Sequence, residues 1–162
     1  MIQHIRKGSR SGLRALAFAG AVALALSFAP QLSWAKSSLS ANKPFADHHI
    51  VLQLSDRDQA KQALVLSVAN NLLKAYEPDR IDIEVVAFGP GIDLLRANSP
   101  NKQLVDSLVA QGVRFDVCMN TVETIERDTG RPVSLNPNAQ RVAAGVAQML
   151  LLAEHGYTIV RP

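Results

Sequence analysis

Two runs, "HIVLQLSD" from His49 and "IDIEVVAFG" from Ile81, constrain the fold of this 162-residue chain more than any other feature. The first is continuously β-branched and leucine-rich rather than alternating, the pattern of a strand covered on both faces in a parallel sheet, and the second repeats it. Between them, from Asp58 to Tyr76, Ala60, Leu64, Val68 and Leu72 recur every four residues with Ala69 and Leu73 beside them, which predicts a helix buried along that stripe. Ser55 and Asp58 supply a capping box at its start.

The alternation continues to the C-terminus. "GPG" at Gly89 to Gly91 turns the second strand into a short helical segment. Ser99 and Pro100 then supply the N-cap and first turn of a helix carrying Leu104, Val105, Leu108 and Val109, closed by Gly112. "VRFDVC" from Val113 reads as a third strand, and Asn120 with Glu123 gives a capping-box-like start to a helix running to about Asp128. "TGRPVSLNPN" is a loop, "AQRVAA" a fourth strand, "GVAQMLLLAEHG" a helix ended by Gly156, and "YTIV" a last strand. Strands alternating with helices pair in parallel through right-handed crossovers. The predicted fold class is α/β, a three-layer α/β/α sandwich with a mostly parallel sheet of about five strands.

The N-terminus carries an address. Arg6, Lys7, Arg10 and Arg14 form a basic start without acids, an apolar stretch follows from Ala15 to Ala29, and "SWA" at Ser33 to Ala35 places small residues where a signal peptidase reads. The expectation is a cleaved signal peptide over residues 1–35, a flexible lead-in over 36–47, and one domain over 48–162. Export to the periplasm follows, with no membrane association after cleavage, because no later segment is long and apolar enough to span a bilayer. The whole-chain charge of +3 is then misleading. Four of the 17 basic residues precede the cut, which leaves 13 against 14 acids. A nearly neutral domain without a basic face is not a nucleic-acid binder.

The helix "GVAQMLLLAEHG" fits a monomer poorly, since Gln148 is the only polar residue amid Val146, Ala147, Met149, Leu150, Leu151, Leu152 and Ala153. Two arrangements satisfy it: a second subunit against its outer face, or the preceding loop folded over it.

Ligands of open parallel sheets meet the carboxyl ends of the strands. Three loops compete for that edge: "SDRD" with Asp56, "GPG" with Gly89, Pro90 and Gly91, and "CMNT" with Cys118, Met119, Asn120 and Thr121. Cys118, the only cysteine, sits just before a helix N-terminus, where amide groups and the dipole favour a thiolate. It reads equally as a nucleophile or as a small buried hydrophobe. Asp56 and Asp58 fit helix capping as well as ligand binding. "FGPG" lacks the lysine and hydroxyl residue of a phosphate-binding loop and reads as a tight turn. His48 and His49 point to opposite faces of one strand and cannot share a metal, so no metal site and no cofactor is expected.

"EVVAFGPGIDLL", "QGVRFDVCMNT" and "EHGYTIVRP" match, in order and spacing, the DsrE/DsrF-like family, and the chain from about His49 to Pro162 resembles its small exported, single-domain members. The resemblance implies a homo-oligomer, a trimer or hexamer, and a cysteine after the third strand that accepts a persulfide sulfur from a donor protein and passes it to an acceptor. The matching position is Cys118. Gly89 to Gly91 would then leave room for the incoming group, the helix near Asn120 would stabilise the anion, and Asp56 would shape the opposite wall. The rival reading is a non-catalytic oligomer that binds a small ligand or partner at the same edge, with Cys118 merely packed.

Overall fold

The computed structural model describes residues 43–162. The expected signal peptide, residues 1–35, and residues 36–42 of the expected lead-in lie outside the described residues. From residue 43 the lead-in is tied down rather than free: Lys43 Nζ donates to the Ile81 carbonyl at 2.9 Å, and Asp47 pairs with Arg80.

Five strands, β1 (His48–Leu54), β2 (Ile81–Ala87), β3 (Arg114–Cys118), β4 (Gln140–Val142) and β5 (Thr158–Val160), form one sheet in the order β4-β3-β2-β1-β5, with every pairing parallel. The helices are α1 (Gln59–Tyr76), α2 (Lys102–Ala110), α3 (Met119–Thr129) and α4 (Gly145–Glu154), with a 3-10 helix over Gly89–Leu95. This is the α/β sandwich expected from the sequence. Right-handed crossovers decide which face each helix takes. The steps β1 to β2 to β3 to β4 all move one way across the sheet, so α1, α2 and α3 share a face. The return from β4 to β5 crosses the other three strands in the opposite sense, so among the described residues α4 lies alone on the other face.

The two faces carry different chemistry. Under α1, α2 and α3, Leu52, Leu54, Ile83, Val85, Phe115 and Val117 pack with Val65, Leu66, Ala69, Val105 and Val122 in one apolar core. Under α4 the apolar cluster is small, with Val51, Val86, Met149, Leu152 and Tyr157, and Phe88 at its margin.

Local details differ from the sequence reading. The buried stripe of α1 is Gln62, Val65, Leu66, Ala69 and Leu73, one step round the helix from the stripe expected, and Leu64 is 47% exposed. Both stripes are apolar, and tertiary contact chose between them. Asp58 alone caps α1, its carboxylate accepting from Lys61 N at 3.0 Å. Helix α2 starts at Lys102 after a turn in which Ser99 Oγ accepts from Asn101 N, and Leu104 stays exposed. At α3 the N-cap residue is Cys118 rather than Asn120, whose backbone N–H instead donates to the Ala143 carbonyl at 3.1 Å.

Gln148 is also not the water-facing residue of α4. It is buried, and its amide donates to Glu84 Oε1 at 2.7 Å, while Val146 and Leu150 are 63% and 60% exposed. The loop before β4 does not cover them. Its Asn136 and Asn138 amides donate to Asp106 Oδ1 on α2, and Leu135 bridges to Arg96.

Gly91 fixes the close approach of the 3-10 helix to the end of β1. A Cβ there would lie 2.7 Å from the Leu54 carbonyl carbon and nearer still to its oxygen, both rigid backbone atoms. Gly91→Ala is expected to lower stability by about 3 kcal/mol, measured by urea unfolding, because neither segment can yield.

Candidate functional site

The loops after β1, β2 and β3 meet at the carboxyl edge of the sheet, and two distinct environments form there, one on each side of the sheet plane. On the α3 side lies an open cleft of about 480 Å³ lined by Arg57, Gly89, Pro90, Asp93, Asn120, Thr121, Thr124 and Ile125. Gly89, at φ +52°, presents its N–H to Thr121 Oγ1 at 3.0 Å and so ties the β2 loop to the first turn of α3. Four of the residues singled out by sequence, Gly89, Pro90, Asn120 and Thr121, therefore share one cleft. Gly91 is buried behind it, and Met119 packs against the core of the α3 side. Asp56 is held elsewhere: it pairs with Lys61 at 2.7 Å and with Arg161 at 3.5 Å, and the Lys61 hydrogen bond holds its carboxyl below the usual carboxylate range.

Cys118 belongs to the other side. Side chains alternate along a strand, and Phe115 and Val117 enter the core under α1 to α3, so Arg114, Asp116 and Cys118 face α4. The Cys118 side chain is buried, with 5% of the residue exposed, and does not line the cleft. The start of α4 covers it. A Cβ on Gly145 would lie 3.3 Å from Cys118 Cβ and 3.2 Å from Phe88 Cβ, so the absence of a side chain there lets α4 close down on the thiol. Cys118 thus lies where the first turns of α3 and α4 converge, and the first amides of a helix have no partner within it.

Further along the same face runs a buried polar network that the sequence reading missed. Arg114 donates from Nε to Glu84 Oε2 at 2.7 Å and from Nη1 to Asp82 Oδ1 at 2.9 Å. Its Nη2 also bonds Glu84 and reaches Tyr157 Oη at 3.1 Å, while the Tyr157 hydroxyl donates to Asp82 Oδ2 at 2.7 Å. Burial opposes the guanidinium charge, but Glu84 and Asp82 more than reverse that and raise the Arg114 pKa. Asp116 stands apart, 1% exposed, with neither carboxyl oxygen in a hydrogen bond. Burial, reinforced by the neighbouring Glu84 carboxylate, pushes Asp116 up to about 9, so it holds its proton at neutral pH. The signal was present in the sequence: Asp82, Glu84, Arg114 and Asp116 occupy alternate positions of two strands that the apolar runs already marked as covered on both faces.

His48 stacks on Tyr76 and His49 on Tyr157, at centroid distances of 4.3 and 5.1 Å, and no metal-holding cluster of histidine, cysteine or acidic residues occurs among the described residues. No helix among the described residues is long and apolar enough to cross a membrane.

The solved structures that resemble the chain have the DsrE/DsrF-like superfamily fold. One of them is MTH1491 from Methanobacterium thermoautotrophicum, a protein of unknown function. It is 31% identical, with a TM-score of 0.64 over 72% of this chain and 100% of that one. The chain belongs to the family of MTH1491. YchN from E. coli, at 16% identity and a TM-score of 0.53 over 71% of this chain and 99% of its own, shares the fold. No family model matches the chain, and no curated protein matches it.

The raised pKa of Asp116 has a definite sign for stability. The unfolded chain releases this proton near pH 4 and the folded one only near 9, so folding stability falls as pH rises through that interval. Asp116→Asn, which keeps the shape and carries no charge, is expected to raise the urea midpoint at about pH 8 and to lose that advantage toward about pH 4. An unchanged or lowered midpoint at both values would mean that the carboxyl is ionised and satisfied in the fold.

Proposed function

We propose that the protein is a periplasmic, homo-oligomeric sulfur carrier, a small exported member of the DsrE/DsrF-like family, in which Cys118 bears a persulfide. The observation that carries this reading is the place of Cys118: the last residue of β3, in the N-cap position of α3, with the start of α4 against it. The N-terminal ends of two helices lie beside it, and the positive end of a helix dipole favours an anion without any internal base or metal. The reaction asks no more of the protein. The Cys118 thiolate attacks the outer sulfur of a donor persulfide, a new S–S bond forms, and the old one breaks with its electron pair leaving on the donor thiolate. Sulfane sulfur moves between thiols with no net oxidation, and an acceptor thiolate repeats the step outward. The exposed apolar face of α4, with Val146 and Leu150 uncovered by any part of the described chain, supports a second copy as the partner that buries it, within a trimer or hexamer.

The burial of Cys118 and its position off the cleft favour a second reading. In it the cleft at Gly89, Pro90, Asn120 and Thr121 binds a small ligand or partner, and the cysteine is only packed.

Incubating the purified protein with inorganic polysulfide separates the two. The carrier reading expects intact-mass spectrometry to show added whole sulfur atoms, removed by dithiothreitol and absent from Cys118→Ser. A native protein that stays unmodified while its urea-unfolded form reacts would leave the ligand-binding reading.

A further inference from the structure

The thiol and the unpaired carboxyl lie under the same helix. Gly145, in the first turn of α4, closes on Cys118, and Gln148, three residues on, donates to Glu84. Asp116 lies two residues before Cys118 on the same face of β3. We propose that α4 is a pH-dependent cover for Cys118, tied down by the Gln148–Glu84 hydrogen bond and released when Asp116 gives up its proton.

The groups around Asp116 explain why its ionisation moves this helix and not another part of the fold. From β2 it faces Glu84, with Asp82 beyond, both already joined to Arg114. On β4 the residue opposite is the uncharged Gln140, with exposed Arg141 next to it. From α4 comes the Gln148 amide, while Glu154, at the far end of that helix, is exposed. At the entry to β5 the Tyr157 hydroxyl is bonded to Asp82 and Arg114, and His49 of β1 stacks on the Tyr157 ring. The guanidinium of Arg114 is thus committed before Asp116 ionises. The new charge stands beside Glu84 and is only partly offset by the Arg114 guanidinium and the Gln148 amide, both already bonded elsewhere, in agreement with the proton that Asp116 keeps up to about pH 9 in the closed state. Such a charge needs water. Behind it is the sheet, backed by the larger core. In front is α4, the only helix on this face among the described residues, with no side-chain cap at its start. Lifting α4 hydrates the carboxylate and uncovers the thiol together. The inference rests on the sulfur-carrier reading for the use of the cover, but its test requires no sulfur transfer.

The test is the pH dependence of Cys118 alkylation by iodoacetamide in the folded, purified protein, wild type against Asp116→Asn. Thiolate formation alone raises the rate about tenfold per pH unit below the thiol's own titration. An opening that also releases the Asp116 proton makes the wild-type rate climb about a hundredfold per unit between about pH 6.5 and 8, while Asp116→Asn keeps the tenfold dependence. A merely structural role for Asp116 would shift the rate by the same factor at every pH. Hydrogen exchange of the wild type gives the same answer without a variant. Amides of α4 are expected to exchange faster than the core amides of α1 at every pH, because α4 lifts without global unfolding, and to gain about a hundredfold in rate per pH unit in the wild type. Equal slopes for wild type and variant, or α4 amides that exchange no faster than the core amides of α1, overturn the cover. A protein that shows the steep slopes yet takes no sulfur from polysulfide supports the cover and removes only the sulfur reading.

Discussion

One guanidinium makes the α4 face possible. Asp82 and Glu84 are fully buried on a central strand, and without Arg114 their charges would face an apolar helix and a neighbouring strand. A buried ion network of this kind is weak evidence for stability, since apolar residues of the same volume often do as well. What it does is specify. Arg114 links β3 to β2 and, through Tyr157, to the entry of β5, so the return crossover is pinned to the strands that it must span. The same arithmetic of charge leaves Asp116 as the third carboxyl beside a single cation.

That surplus gives the face its character. Proteins rarely bury a carboxyl with both oxygens unbonded, and titratable groups held so far from their ordinary range concentrate at functional places. Here the group shares strand and cover with the only cysteine. The cleft on the opposite side of the sheet, at Gly89 and Thr121, is built differently, from loop backbone and small polar side chains, and is open without any movement. A ligand in the cleft and a sulfur on Cys118 would approach α3 from opposite sides of its first turn.

Much of the architecture was legible because it follows from periodicity. Continuous apolar runs marked the strands, glycines and prolines marked the turns, and the crossover rule supplied parallel pairing. What failed was facing. The α1 stripe shifted by one position because Ala60, Leu64 and Val68 are as apolar as Val65, Leu66 and Ala69. A lone glutamine in an apolar helix looks like its solvent side, whereas a hidden glutamate on β2 claims Gln148. Asn120 and Glu123 have the spacing of a capping box, but the strand runs into α3 at Cys118 with no intervening residue. Among the candidate site residues, those of the β2 and β3 loops came together in one cleft, but Cys118 turned away from it and Asp56 was taken by Lys61 and Arg161. No local pattern encodes which side of a sheet a strand-end residue takes when its two neighbours are both apolar.

The link between α4 and Cys118 depends on Asp116 being a neutral acid inside the folded protein. Infrared difference spectroscopy between wild type and Asp116→Asn at neutral pH reads this directly. A protonated-carboxyl carbonyl band, present in the wild type, lost in the variant and titrating away near pH 9, is the expected result. A carboxylate band in its place at neutral pH would show that the charge is tolerated beneath α4, and the link between that helix, the acid and the thiol would fall.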